Sequence, residues 1–351
     1  MSSDIIYDSI FDAFRVIAPC SPLLNLEKDT PEFFYRSNEY QLIDMGGYIG
    51  AYAGNPFGTL YRGEHKEYPN SKAIIYRGDS ERIVIDKIRI IEFKNILQTF
   101  PQVQYALKDR ANVDYLALAQ HYELRTWLID VTSAPEIAAY FATHQWINGV
   151  PTPVESGIGR IRGFMFPPTN YGNPDPKYHF IGLQCFERPG LQVAYGIEME
   201  QDEDLGSRGW TVRFRQNPIA SKRIHQIFHI DYKRLEELAA HNEVIDPSKH
   251  PELFTKNSWL MPDEEIALVA NMIRDCAELS SAAVEEYLSP LTQEQKNDVL
   301  SILSKNSIEI TDKPLFELSE ERISELEKEY KDRPYGNVQL SARLSYKGLA
   351  N

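Results

Sequence analysis

The stretch from Tyr115 to Phe141, YLALAQHYELRTWLIDVTSAPEIAAYF, decides how this chain is read. Tyr115, Leu118, Ala119 and Tyr122 fall at i, i+3, i+4 and i+7, one face of a helix, with Asp114 or Asn112 available as its N-cap. Trp127, Leu128, Ile129 and Val131 form an apolar run too short for a helix and suited to a buried strand or extended turn. Ser133-Ala134-Pro135-Glu136 fits a capping box with proline in the first helical turn. Ile137, Tyr140 and Phe141 then give a second helix its inward face. Gln120 and His121 close the first helix, and Asp130, Thr132 and Ser133 lie in the tight connection before the second. Sites are often built on loops that a rigid scaffold holds in place.

Composition sets the outer bounds. With 351 residues the chain can form one large domain or two modest ones around a sizeable core. Hydrophobic residues at 42% and charged residues at 25% are ordinary for a soluble globular protein. A net charge of −14 argues against broad binding to nucleic-acid backbones, while leaving a local basic patch open. Cys20, Cys185 and Cys276 are far apart and make no CxxC pair, so a reducing cytoplasm is the expected compartment. The start, MSSDIIYDSIFDAF, lacks the basic region and apolar core of a signal peptide. No apolar run approaches transmembrane length, so no membrane partner is expected.

Working outward, residues 4–17 read as a short amphipathic helix. Residues 45–70 are rich in Gly, Tyr and Asn and read as irregular; Tyr61-Arg62-Gly63 falls there, without an apolar run before it. Ala73-Ile74-Ile75-Tyr76-Arg77-Gly78 reads as an apolar strand ending in Arg-Gly. An arginine in that place is costly unless it meets an anion or a carboxylate. Arg77 is therefore either an anion clamp, using the bidentate bonds of guanidinium, or half of a structural salt bridge. Residues 82–100 read as a helix. Strands are expected at 157–166, over 188–200 as a pair or a bulged strand, at 210–214 and at 224–230. Asp231 can cap a further helix. From Pro262 the pattern is helical, with a capping box at Thr292–Gln295 and a charge-laced helix over 319–330, and the last twenty residues read as frayed.

Taken in order, Tyr76-Arg77-Gly78, Gln120-His121-Tyr122, Thr126 through Asp130-Val131-Thr132, and Pro135 through Ala139-Tyr140-Phe141-Ala142 resemble the FRG domain family, named for a Phe/Tyr-Arg-Gly motif and often found in bacterial and phage proteins. Arg188 and Gln192 match a later Arg-x-x-x-Gln element of that family, and residues 224–240 and 260–263 resemble its closing segment. Three positions depart from the pattern. Glu123 stands where the family usually has glycine, Arg125 where it has proline, and Trp127 where it has an arginine. Either the chain is altered in substrate binding, or Arg125 has taken over that charge.

The resemblance implies a layout like that of ADP-ribosyltransferases of the Arg-Ser-Glu type. The fold expected is α+β: a mostly antiparallel split sheet flanked by helices, with helical additions at both ends. The expected domains are an N-terminal helical and loop extension over 1–69, the FRG-like α+β domain over 70–280, and a C-terminal helical appendage over 281–351. The implied function is an NAD-using ADP-ribosyltransferase or NAD glycohydrolase, acting as a bacterial or phage toxin or defence effector. NAD would be substrate, no metal is expected, and a protein or nucleic acid would accept any ADP-ribose. Cleaving the nicotinamide–ribose bond builds an oxocarbenium-like centre. It needs a cation for the phosphates, an aromatic surface and a carboxylate. Arg77, Tyr140 or Tyr195, and Glu198 or Glu200 are the candidates.

Further catalytic candidates are Gln120, His121, Asp130, Thr132 and Gln192. Tyr76, Gly78, Thr126 and Arg188 complete the nucleotide-binding set. Each has a structural alternative. Gln120 and His121 can cap helix carbonyls; Asp130 can be the buried partner of Arg77 or Arg125; Glu198 and Glu200 can form a solvated acidic edge; Tyr140 can belong to the core. The competing function is a non-catalytic module that binds a nucleotide or a protein.

Overall fold

The computed structural model describes residues 5–27, 39–44, 49–52, 58–147, 150–165, 177–228, 264–332 and 339–345. The strands are β1 (Ile6–Tyr7), β2 (Glu39–Asp44), β3 (Ile49–Tyr52), β4 (Thr59–Glu64), β5 (Leu128–Thr132), β6 (His144–Ile147), β7 (Val150–Pro153), β8 (Ile158–Met165), β9 (Tyr178–Phe180), β10 (Ala194–Glu198), β11 (Trp210–Arg215), β12 (Glu278–Ser280), β13 (Glu309–Thr311) and β14 (Gln339–Ser345). Seven of them form the main sheet in the order β1-β11-β8-β4-β5-β10-β9. It is antiparallel except where β1 joins β11. The protein is thus a mixed α/β fold on a largely antiparallel sheet.

The sheet is divided at its centre. β4 pairs with β8 over six residues, and β5 with β10 over five, yet β4 and β5 share only Tyr61 opposite Thr132. Beyond that pair a side chain replaces the ladder: Arg62 Nη1 donates to the Asp130 carbonyl at 2.8 Å.

Helix α1 (Ile10–Ile17) is capped by Ser9. Helix α2 (Ser80–Leu97) is capped by Asp79, and α3 (Pro101–Lys108) follows directly. Helix α4 (Tyr115–His121) starts at Asp114, whose carboxylate accepts from Ala117 N. Helix α5 (Pro135–Thr143) has Pro135 in its first turn, but its N-cap is Ala134 and no side chain caps it. The capping box expected there does not form, because Glu136 instead accepts from Ser21 Oγ at 2.7 Å. Helix α5 lies so close to β4 and β8 that a Cβ on Gly63 would stand 1.7 Å from the Ala138 carbonyl oxygen. That approach requires glycine.

Helices α6 (Glu187–Leu191), α7 (Pro218–Phe228) and α8 (Glu264–Asp275) follow. Then come α9 (Ser281–Leu288), α10 (Gln293–Lys305) and α11 (Glu320–Asp332). The capping box at Thr292 and Gln295 is formed. Helices α9 and α10 pack on α2, and α11 packs on α3. Three buried ionic residues along α2 tie it to neighbouring segments, Asp86 to the turn before β5 and the other two to the chain that leads into α9. Asp86 pairs with Arg125 at 3.0 Å, Arg89 donates to the Cys276 carbonyl, and Glu92 accepts from Ser280 N and Oγ.

Several expectations are corrected. Residues 224–228 are not a strand: Ala220, Ile224 and Phe228 are buried at a spacing of four, which makes that run the end of α7, while 229 and 230 lie outside the described residues. Residues 188–200 hold the short helix α6 before β10. Residues 45–70, read as irregular, contain β3 and β4, and the 1–69 segment supplies β1 and β4 to the main sheet. Ile74–Arg77 is a single 3-10 turn, not a strand. Within the last twenty residues, β14 pairs with β2 in parallel. The helix expected after Asp231 lies outside the described residues.

Candidate functional site

The division between β4 and β5 gathers polar groups from both half-sheets. On β4, Arg62 and Glu64 stand opposite Arg162 and Arg160 of β8. Glu64 is buried and accepts from Ser71 Oγ (2.8 Å), from Arg162 Nε (3.2 Å), from Arg62 Nε (3.3 Å) and from Arg160 Nε. Burial alone would raise its pKa, but Arg62 and Arg160 outweigh that and hold it at about 2. Arg160 and Arg162 also donate to the carbonyls of Tyr68 and Gly206. Arg62 spends Nε on Glu64 and Nη1 on the Asp130 carbonyl; its Nη2 has no partner among the described residues.

On the other side, the end of α4 carries Gln120 and His121. Gln120 does not cap its helix through its side chain. Its Nε2 donates to Asp130 Oδ2 at 3.0 Å, while its Oε1 accepts from Thr126 Oγ1. Thr126 Oγ1 in turn accepts from Leu128 N at 3.1 Å. Asp130 Oδ1 is buried with no hydrogen bond among the described residues. Backbone bonds close the helix end instead: Leu124 N donates to the Ala119 carbonyl and Glu123 N to that of Gln120. This is a Schellman turn, and Glu123 occupies its left-handed position at φ 70°. The glycine that the family usually carries there is what this conformation favours. Glu123 Oε2 pairs with Arg274 at 3.1 Å on the surface.

His121 is buried, and burial lowers its pKa to about 4, so the ring is neutral at pH 7. The Gln192 side chain lies beside it, and the charges of Asp130, Arg188 and Asp114 act on it. Arg188, on α6, sits over the Tyr122 ring at 5.7 Å and has no carboxylate at ion-pair distance among the described residues. Burial weakens its hold on the proton, partly offset by Tyr122, Glu123 and Asp130. Thr132 Oγ1 donates to the Gln192 carbonyl at 3.0 Å, tying β5 to the turn before β10. In that turn Val193 adopts φ 45°, an unusual conformation for a β-branched residue.

The remaining candidates lie elsewhere. Arg77 is at the end of the 3-10 turn, where Nε and Nη2 donate to the Lys72 carbonyl at 3.1 and 2.8 Å. Burial, then the neighbouring charge of Arg62, lowers its pKa. Gly78 is in extended backbone, φ −108°, with Arg125 beside it. Arg125 is held by Asp86 and the Ile74 carbonyl, so it ties α2 to the turn. Trp127 lies under Lys87 Nζ, 5.8 Å from the ring centroid. Glu198 accepts from His179 Nε2 at 2.8 Å, while His179 Nδ1 meets Asp114 Oδ2 at 2.6 Å. Glu200 is exposed and pairs with Lys177. Tyr76 is half-buried. Burial raises its hydroxyl pKa, and so do the charges of Glu200 and Glu198. Tyr140 is fully buried and stacked on His144, with ring centroids 4.1 Å apart. Tyr195 is buried on β10, with its pKa raised by burial.

The structure therefore brings together Gln120, His121, Thr126, Asp130, Thr132, Arg188 and Gln192. It adds Arg62, Glu64, Arg160 and Arg162, which sequence reading passed over. The available signal was polar alternation: Arg62 and Glu64 flank Gly63, and Arg160 and Arg162 flank Ile161. No helix among the described residues is long and apolar enough to cross a membrane.

A mixed α/β domain with a divided sheet and an Arg-Gly strand at the division is the class that fold and site define. Residues 58–148 match the model of the FRG domain, about a quarter of the chain. The match begins one residue before β4 and includes Tyr61-Arg62-Gly63 as well as the later Tyr76-Arg77-Gly78. No curated protein and no solved structure matches the chain.

Proposed function

We propose that this FRG-domain protein uses NAD, cleaving the nicotinamide–ribose bond as an NAD glycohydrolase or passing the ADP-ribose to an acceptor. The observation that carries the reading is Asp130: a carboxylate at the division of the sheet, one oxygen fixed by Gln120 and the other left open. Arg62 lies against its backbone, and its Nη2 is uncommitted among the described residues. A carboxylate there would stabilise the positive charge that develops on the ribose as the bond to nicotinamide breaks. Arg62 would take the diphosphate through charge-assisted bonds. In the hydrolytic case water adds to the ribose carbon, and nicotinamide, ADP-ribose and a proton leave.

This reading moves the carboxylate role from Glu198 and Glu200, which are engaged by His179 and Lys177, to Asp130. It likewise moves the phosphate role from Arg77 to Arg62. A bacterial or phage toxin or defence effector is the setting that the family resemblance supports, and the widely spaced cysteines support a cytoplasmic one.

The test is nicotinamide release from NAD by the full chain, beside Asp130→Asn and Arg62→Ala, with Arg77→Ala as comparator. Release by wild type and Arg77→Ala, with a loss of about 100-fold or more in Asp130→Asn, is the expected result. Equal release by Asp130→Asn and wild type would refute the assignment. The second reading, a nucleotide-binding module without turnover, is favoured by the engagement of both glutamates. It predicts that NAD raises the melting temperature while no nicotinamide appears.

A further inference from the structure

Four buried polar atoms around β5 and β10 have no hydrogen bond among the described residues: Asp130 Oδ1, His121 Nε2, Gln192 Nε2 and Arg188 Nε. His121 and Gln192 are only 5% and 6% exposed. Buried polar groups are nearly always paired in folded proteins, so each orphan needs an explanation. The fold sets these four near one another: α4, which ends at His121, packs on β5 and on α6, and α6 carries Arg188 and leads through Gln192 into β10, whose Ala194 stands opposite Thr132 of β5. The charge of Asp130 acts on both His121 and Arg188. The Gln192 backbone is fixed at both ends, its N–H by the Arg188 carbonyl and its own carbonyl by Thr132 Oγ1. Gln120 occupies Asp130 Oδ2, which settles the oxygen left open.

The chemistry of the set is selective. Asp130 Oδ1 only accepts, the Gln192 amide nitrogen and Arg188 Nε only donate, and a neutral imidazole nitrogen does one or the other. A ligand carboxylate or phosphate would meet Asp130 with like charge, and an ammonium would meet Arg188 likewise. A planar amide edge, an N–H beside a C=O, answers both halves.

We propose that Asp130, Gln192 and Arg188, with His121 beside them, form a recognition subsite for an amide edge. The ligand N–H goes to Asp130 Oδ1, and its carbonyl oxygen goes to Gln192 Nε2 and Arg188 Nε. Two sources carry that edge: the carboxamide of nicotinamide and the lactam edge of guanine. The nicotinamide source rests on the proposed use of NAD, whereas the guanine source does not.

The full wild-type chain separates them without mutation. Ligand-observed NMR would compare nicotinamide with nicotinic acid, and guanosine with guanosine methylated at N1. The expected result is that one amide-bearing compound binds at least about ten-fold tighter than its altered counterpart, the loss typical of leaving buried groups unpaired. Gln192→Met, confirmed as folded by circular dichroism, should abolish that preference. Binding of neither compound means that ordered water satisfies these atoms, and overturns the proposal; so does equal binding within each pair. A preference for guanosine together with no NAD cleavage keeps the subsite and removes the NAD reading. Cleavage of NAD and of its nicotinic acid analogue at equal rates keeps the NAD reading and removes the subsite.

Discussion

Glu123 offers a test of the backbone argument at the end of α4. It holds φ 70° in a Schellman turn, between Gln120 and the run that leads into β5. For an L-residue the left-handed conformation costs roughly 1–2 kcal/mol. Glycine avoids that cost but loses about 0.5–1 kcal/mol more chain entropy on folding. Glu123→Gly should therefore be more stable than Glu123→Ala by about 0.5–1 kcal/mol. Both variants lose the bond to Arg274, so the comparison cancels it. That bond joins side chains 53% and 31% exposed, and solvent screening leaves it about 0.2–1 kcal/mol. Wild type should accordingly lie above the alanine variant and close to the glycine one. Urea unfolding midpoints at constant slope give the three values. An alanine variant equal to or more stable than the glycine variant would refute the claim that this position is conformationally strained.

Two other outcomes follow from the packing and the charges. Gly63→Ala would place a Cβ 1.7 Å from the Ala138 carbonyl oxygen and 2.7 Å from Ala142 N, both backbone atoms of α5. Such overpacking should cost about 3 kcal/mol or more, seen as loss of soluble protein or of its cooperative unfolding transition. His179 is pulled down by burial, but its bonds to Asp114 and Glu198 prevail and raise its pKa to about 9. Its contribution to stability is complete below the ordinary value of about 6.5 and is lost as pH rises through about 9. The stability gap between wild type and His179→Asn should thus shrink between about pH 6 and about pH 10, and a gap that widens would contradict the pairing.

The parts of the fold that were legible in the sequence are those with strong periodicity. Asp114 does cap α4, the apolar run becomes β5 from Leu128 on, and the strands expected within 157–166 and 210–214 are found as Ile158–Met165 (β8) and Trp210–Arg215 (β11). What misled was short-range alternation. Ile224 to Ile230 alternates like a strand, but the buried positions obey the longer helical spacing. Ala73 to Tyr76 is apolar enough for a strand, yet only Ala73 and Ile75 are buried, and Ile75 N donates to the Thr126 carbonyl, two residues before β5 begins. β4 was missed for the opposite reason. Its side chains include arginine, glutamate and glycine at the middle of a sheet, because the arginine fills the division, the glutamate gathers arginines, and the glycine makes room for α5. Gln120, Thr126 and Asp130 could be named from sequence, but their mutual bonding depends on how α4 returns onto β5.

Arg62 works as a clasp between two half-sheets that otherwise share a single residue pair. Its Nη1 bond to the Asp130 carbonyl spans the division while Nη2 is left over, so an anion taken by Nη2 would leave the clasp closed. The side chain that holds the half-sheets together would then also be the one that fills the gap between them.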